Sequence, residues 1–317
     1  MILSAALSRL TRMVFVMLGV SIVVFGLVQL APGDVATTLL GPQASEGAKQ
    51  ALREQLGLDQ PITTQYWWWL ASTLQGDFGN SIVSRSPVLA EVIPRYLNSL
   101  LLAGAALLVA VAIGVSAGIA SAAMPNSVFD RISMSFVQVV GTLPPFWLGL
   151  VLVYFFALKY RLFPATGMTK AFGGGDAKDI ALHLVLPAVT AAAASTAVIV
   201  RMVRAVFLEV MAADFMMVAR ARGVGTLRLL SHHALPNCLP HIITIVGLQL
   251  GYLIGGVLFT EVVFAWPGIG QSLYQAILGR DIAVVQACVL LIALSFVLIN
   301  LAVDLFNSYL GNRTSHS

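Results

Sequence analysis

The chain has 317 residues, 58% hydrophobic and only 10% charged, with a mean hydropathy of +0.89. Soluble domains carry about 25% charged residues, so this composition excludes a water-exposed globule and makes the bilayer the natural solvent. The net charge of +4 and pI near 9.3 then read as topology signals, not as a nucleic-acid footprint. Cys238 and Cys288, the two cysteines, lie outside any CxxC pair and are too few for a disulfide framework.

Apolar runs long enough to cross a bilayer, about 20 residues, fall at roughly 13–30, 99–123, 134–158, 180–200, 242–260 and 282–309. The first follows Arg9 and Arg12, and its 18 residues from 13 to 30 exceed the roughly 7–15-residue apolar core of a signal peptide. No small-x-small site precedes Pro32, so the run reads as an uncleaved span. Segment 32–98 reads as small helices. Ser45 is placed to cap one and Gly57 to end it, with Ala48, Ala51, Leu52 and Leu56 on one face before Gln60-Pro61. Tyr66 and Trp67-Trp68-Trp69 follow. Such residues collect at membrane–water interfaces, which favours an anchor over a ligand-stacking box. Gly76-Asp77-Phe78-Gly79 makes a turn.

Gly114 and Gly118 in the second run, and Gly247, Gly251 and Gly255 in the fifth, recur every four residues, a spacing that lets helices approach closely. Pro144-Pro145 interrupts the third run and Pro187 the fourth. No run carries an ionisable residue at its centre, and Asp304 lies towards the end of the sixth. A proton- or ion-coupled carrier would need such residues. Glu261, Arg280 and Asp281 flank a loop over 264–279 and read as exposed loop charges or contacts to a partner, not as an enzyme's acid–base constellation. His232, His233 and His241 diverge too much for one metal and suit polar contacts. With the N-terminus inside, long segment 32–98 is set aside because long loops translocate largely regardless of charge. Inside segments then hold Arg9, Arg12, Arg131, Arg201, Arg204, Arg220, Arg222, Arg228 and Arg313, and outside ones only Lys159, Arg161, Lys170, Lys178 and Arg280.

Segment 201–240, between the fourth and fifth runs, is predominantly basic. Asp214 is placed to cap a short helix that ends at Gly223, and Thr226 to cap a second that runs towards His233. Met216, Met217, Val218 and Leu227 give this knob an apolar patch rimmed by arginines. It reads either as a solvated basic loop or as a surface for a groove on a soluble partner.

The run Asp214-Phe215-Met216-Met217-Val218-Ala219-Arg220-Ala221-Arg222-Gly223, with His233-Ala234-Leu235 and Asn237, resembles the EAA-type loop of binding-protein-dependent ABC importers. It also resembles, more closely, the dipeptide/oligopeptide/nickel permease subfamily. Ala31-Pro32-Gly33-Asp34, Leu56 to Pro61, Gly76 to Ser81, Glu261 to Gly270 and Arg280-Asp281 agree in order. Pro236 stands where the family often has a basic residue, and Gly311-Asn312-Arg313 where it often has Asp-Pro-Arg.

The resemblance implies an all-α, polytopic, type I importer permease with six transmembrane helices, in a bacterial cytoplasmic membrane with both termini inside. Its parts are a tail and first span (1–31), an extracytoplasmic segment (32–98), a five-helix core (99–310) containing the coupling loop 201–240, and a C-terminal tail (311–317). It also implies that the loop couples to an ATPase through Ala219, Ala221 and Gly223, capped by Asp214, with Arg220, His233 and Asn237 in the same motif. The implied partners are a second, distinct permease, two cytoplasmic ATPases and an extracytoplasmic solute-binding protein. The chain has no G-x-x-x-x-G-K-[ST] phosphate loop, and Gly173-Gly174-Gly175-Asp176 lacks the lysine that would follow. ATP and magnesium are therefore expected on partner subunits, and no cofactor or catalysis on this chain. A di- or oligopeptide is the expected solute, with nickel or another metal chelate, or glutathione, as alternatives; a secondary transporter is the reading from another class.

Overall fold

The computed structural model describes residues 2–30, 37, 40, 43–55, 57–170, 172 and 175–314. The motif residues 31–34, Leu56 and Gly173-Gly174 lie outside them. Apart from an isolated bridge between Asn80 and Pro87, regular structure among the described residues is helical. Lipid offers a backbone no hydrogen-bond partners, so a spanning segment must satisfy its own.

In chain order the helices are α1 (Ile2–Leu30), α2 (Glu46–Gln55), α3 (Ile62–Leu74), α4 (Val88–Ala123), α5 (Val128–Thr142) and α6 (Pro145–Leu152), which runs into a π-helical turn (Val153–Lys159). Then come α7 (Ala177–Met211), α8 (Asp214–Ala221), α9 (Thr226–Gly256), α10 (Leu258–Val263), α11 (Ile269–Leu278) and α12 (Ile282–Thr314). α1, α4, α7, α9 and α12 are long and apolar enough to cross a membrane as continuous helices.

The third apolar run is not one rod: its two halves meet at 104°. Leu143 and Pro144 are extended, with ψ of 135° and 130°. A proline at Pro145 forces the residue before it out of the helical region, while its missing N–H costs nothing at the first position of α6. The fifth run also stops early, at Gly256, so Thr260 belongs to the separate helix α10. The loop expected over 264–279 contains α11.

The small residues act as their spacing predicts, with one exception. A Cβ on Gly114 would come 2.6 Å from Ile199, and one on Gly118 2.8 Å from Val203, so α4 and α7 touch backbone to side chain. Gly247 meets Val303 and Gly251 meets Phe296 on α12, whereas Gly255 faces open space. Around the α4–α7 seam lies the main core, including Leu102, Ala106, Ile199, Val203 and Phe207, all fully buried.

Segment 43–87 packs on the end of the bundle where α4 begins. Ser45 caps α2 by accepting the Ala48 N–H at 3.3 Å. Gly57 (φ +66°) ends it, with its N–H on Glu54 O and that of Leu58 on Arg53 O. The aromatic group divides: Trp67 and Trp68 are exposed, while Tyr66 and Trp69 pack on Phe25 of α1, and Trp69 Nε1 donates to Gln286 of α12 at 3.1 Å. Gly76 and Gly79 take positive φ in the expected turn.

Gly114→Ala is expected to destabilise the chain by about 1–3 kcal/mol through overpacking, and Ile199→Ala by about 2–5 kcal/mol through a cavity. Melting in detergent should show the double variant more stable than the sum of the two losses. Strict additivity would mean that these positions do not share a contact.

Candidate functional site

At the end of the bundle where α7 stops, residues 212–225 carry α8 between two long helices. Asp214 does not cap it. Ala213 occupies that position (φ −69°, ψ 150°) without a side-chain bond, and Asp214 opens the first turn. There its carboxylate complements the helix dipole, worth about 0.3–1 kcal/mol. The other terminus is as expected. Gly223 has φ +78°, its N–H bonds Arg220 O at 2.9 Å and the Val224 N–H bonds Ala219 O at 3.3 Å, a paired closure that needs the left-handed region. A Cβ on Gly223 would meet nothing within 4 Å, so the requirement is conformational.

α8 has two unlike faces. Met216 (0% exposed) and Ala219 (8%) enter the main core with Phe207, Leu229, Ala234 and Cys238. Their three-residue spacing puts them on one side. Both residues therefore anchor the helix: Met216 does not belong to the outward patch in which the sequence placed it, and Ala219, which the resemblance put at the ATPase contact, faces the core. The outward face carries Phe215, Met217, Val218, Arg220, Ala221, Arg222 and Gly223. Leu227 is the most exposed large residue nearby, at 82%.

The second short helix is not separate. Gly225, not Thr226, is its cap, and the helix does not end near His233 but continues through a π-helical turn (Leu229–Ala234) to Gly256. The Leu235 N–H bonds Leu230 O, five residues back. The wider turn fits Pro236, which has no N–H to give and would clash with the carbonyl four residues back. Asn237 Nδ2 donates to His233 O at 2.7 Å, so these two motif residues bond each other within α9. Asp214, Ala219, Arg220, Ala221 and Gly223 share α8 and its closing turn, and α8 rests on the π turn.

Sequence reasoning missed the brace beside this site. Asp130 of α5, 3% exposed, receives both Arg204 Nε and Nη2 of α7 at 2.7 Å, together with the Asn126 N–H at 3.0 Å. Arg201 adds a bond to Gln138 at 3.0 Å. The signal was Ser127-x-x-Asp130, a helix-start spacing; Ser127 accepts the Asp130 N–H at 3.1 Å.

The opposite end corrects the sequence more sharply. Glu261 and Asp281 are not solvated loop charges but 0% and 2% exposed. Glu261 Oε1 accepts Ser99 Oγ of α4 at 2.5 Å, and Oε2 accepts the N–H groups of Gly270 (2.7 Å) and Gln271 (3.0 Å) in the first turn of α11. Ser99 Oγ in turn accepts the Ile269 N–H at 2.7 Å. A Cβ on Gly268 would overlap the Glu261 carboxyl. Trp266, fully buried, donates Nε1 to Asn98 O at 3.0 Å. The nearby Arg95 pairs with Glu91 at 3.0 Å and donates to Ser272 at 3.0 Å. Burial pushes the Glu261 carboxyl up to about 7, against the pull of its Ser99, Gln271 and Gly270 bonds. Asp281 accepts Ser81 Oγ at 2.5 Å and the Val83 N–H at 3.3 Å, fastening the 76–87 turn to the start of α12.

Residues 110–316 match the family of binding-protein-dependent transport system inner membrane components, and residues 2–102 match the N-terminal region of such components. The glutathione transport system permease protein GsiC of Escherichia coli K12 is 38% identical over 302 residues, 95% of each chain. GsiC of Salmonella typhi is 39% identical over the same length and shares. Among solved structures, an inward-facing form of the MetNI methionine ABC transporter aligns with a TM-score of 0.58 at 18% identity. The alignment covers 70% of this chain and 96% of that one; at this identity it bears on the fold alone.

Because folding raises the Glu261 carboxyl from its ordinary 4.5, its protonated form carries the stability. That contribution is complete below about 4.5 and lost as pH rises through about 7. Melting of the wild type should therefore fall between about pH 5 and pH 8 more steeply than that of Glu261→Gln. Equal slopes would clear Glu261 of the effect.

Proposed function

This chain belongs to the family of binding-protein-dependent transport system inner membrane components, and on that footing we propose that residues 212–225 are the surface through which ATP-hydrolysing partners move its helices. As a family member it is the multi-pass, non-catalytic permease subunit of an ABC importer, and importers of this kind work with an ATPase and a solute-binding protein. The observation that carries the coupling assignment is the two-faced α8: Met216 and Ala219 lock it to the core, while Phe215, Met217, Val218 and Arg220 lie exposed. An apolar strip edged by guanidinium groups suits a cleft with an apolar floor and an acidic rim. Gly223, Ala221 and Arg220 form the contact. Ala219 and Asp214 set the helix, and His233 and Asn237 shape the π turn beneath it. A push on α8 passes through Met216 to α7 and through the π turn to α9.

In this reading the N-terminus and residues 212–225 face the cytoplasm, and ATP with magnesium is held by two ATPase chains. A second, homologous permease completes the pathway, and the binding protein meets the end bearing Glu261. The solute is a di- or oligopeptide-sized molecule, a class that includes the glutathione named for the relatives. Calorimetric titration of the cognate binding protein should give saturable binding of glutathione or short peptides. Binding of nickel alone would refute the peptide class.

In the complex reconstituted with its partners, Gly223→Leu should keep membrane insertion and ATP hydrolysis but lose uptake about tenfold or more, since a branched side chain costs about 1–2 kcal/mol in the left-handed region. Gly223→Asn, which tolerates that region, should lose much less. Normal uptake by Gly223→Leu would sink the coupling assignment.

A further inference from the structure

Two sequence motifs that the coupling assignment leaves unused meet at the end of the bundle opposite α8. The Gly76–Ser81 turn and Arg280-Asp281 are joined where Ser81 Oγ donates to Asp281 Oδ2 at 2.5 Å, and the Val83 N–H donates to the same oxygen at 3.3 Å. The joint is firm. Asp281 is buried, and its other oxygen accepts the Val284 N–H at 3.4 Å. A Cβ on Gly279 would come 3.3 Å from Val83, so the two sides touch. On this joint stand two exposed arginines, Arg85 and Arg280. The Asp281 oxygens are occupied by hydroxyl and N–H donors, and neither guanidinium has an ion pair or hydrogen bond among the described residues.

Both arginines hold a left-handed backbone, at φ +56° and +52°. Arg280 closes α11: its N–H bonds Ile277 O at 3.2 Å, and the Asp281 N–H bonds Ala276 O at 2.8 Å. Glycine fits such a closure without strain, and Gly223 fills the same place after α8. Here Gly279, at φ −80°, stands one residue too early, and the arginine takes the strained place. Residues held in this region persist only where their surroundings fix them, and they cluster at functional sites. What arginine adds that glycine lacks is an exposed cation on a fixed turn.

We propose that Arg85 and Arg280 form a docking surface for acidic side chains of the extracytoplasmic solute-binding protein. The proposal rests on the reading that the end bearing Glu261 faces that partner. Carboxylates are what an unpaired guanidinium fork matches. Along α4, which starts at Val88, the charged Glu91 and Arg95 lie between this joint and the apolar run that begins at Ser99. The joint is therefore on the aqueous side of that run, within reach of a soluble protein. Charges at the rim of an interface act mainly on the rate of association and on its salt dependence.

The test uses the whole importer complex in lipid nanodiscs, with the cognate binding protein as the probe and its association followed at about 50 mM and about 300 mM salt. Wild type should associate several-fold more slowly at the higher salt. Arg85→Glu/Arg280→Glu should slow association at the lower salt by about tenfold or more and flatten the salt dependence. Arg85→Gln/Arg280→Gln, which removes the charge without reversing it, should slow association by less. Lys178→Glu, a single reversal on the exposed first turn of α7, should change the rate by less than about twofold. A wild-type rate in Arg85→Glu/Arg280→Glu, or an equal loss from Lys178→Glu, would overturn the docking surface. A photo-crosslinker at Arg85 that captured only lipid or only the second permease would do the same. Labelling of Arg280→Cys with an impermeant maleimide tells the two failures apart, since both native cysteines are buried. Labelling only from inside the cell would overturn the topology, and the binding-protein reading with it. Labelling from outside with unchanged association would overturn the docking surface alone.

Discussion

The contact of α4 with α7 is the constraint from which the rest of the molecule hangs. In lipid there is no hydrophobic force to bring two apolar helices together, so their closeness must come from van der Waals fit. Here the fit is Gly114 and Gly118 against Ile199 and Val203. Once α7 is seated, its ends define both faces of the protein. One end continues past Met211 into α8; in the body of the helix Thr190 lies near Gly149 of α6, beside Phe264 beyond α10.

Four carboxylates are buried among the described residues; Asp179 accepts the N–H groups of Lys170 and Gly175, and the other three are held in their own ways. Asp130 has a bidentate arginine from the neighbouring helix. Asp281 accepts a serine hydroxyl and backbone N–H groups. Glu261 also relies on a hydroxyl and helix N–H groups, in a site so enclosed that its proton affinity rises. Burying a carboxylate costs several kcal/mol unless its oxygens are satisfied. These residues therefore sit where chain turns and helix starts supply donors, and the middle of the bundle is left apolar. The membrane sets this division.

Proline accompanies two breaks in the helical ladder. Pro144 and Pro145 bend the third apolar run by 104°, and Pro236 accompanies the π turn that joins the site to α9. Both are places where the regular hydrogen-bond ladder is broken or widened. Broken ladders are tolerated in a membrane only where neighbouring groups re-satisfy them; beside the π turn, Asn237 Nδ2 adds a bond to His233 O.

Apolar runs, glycine spacing and turn residues depend on near neighbours in the chain, and these were legible. Five runs became continuous helices, Gly57 and Gly223 closed α2 and α8, and Ser45 capped α2. What the sequence could not assign was sidedness. Whether Met216 or Met217 faced outward, whether Glu261 was solvated, and whether Asp130 had a partner 74 residues away all depend on which element lies opposite. Sequence alone determined that this chain is a bundle of membrane helices with a short helix set between two of them. Tertiary structure decided which face of that helix is anchored and which charges are buried, because burial is settled by the packing partner and not by the residue.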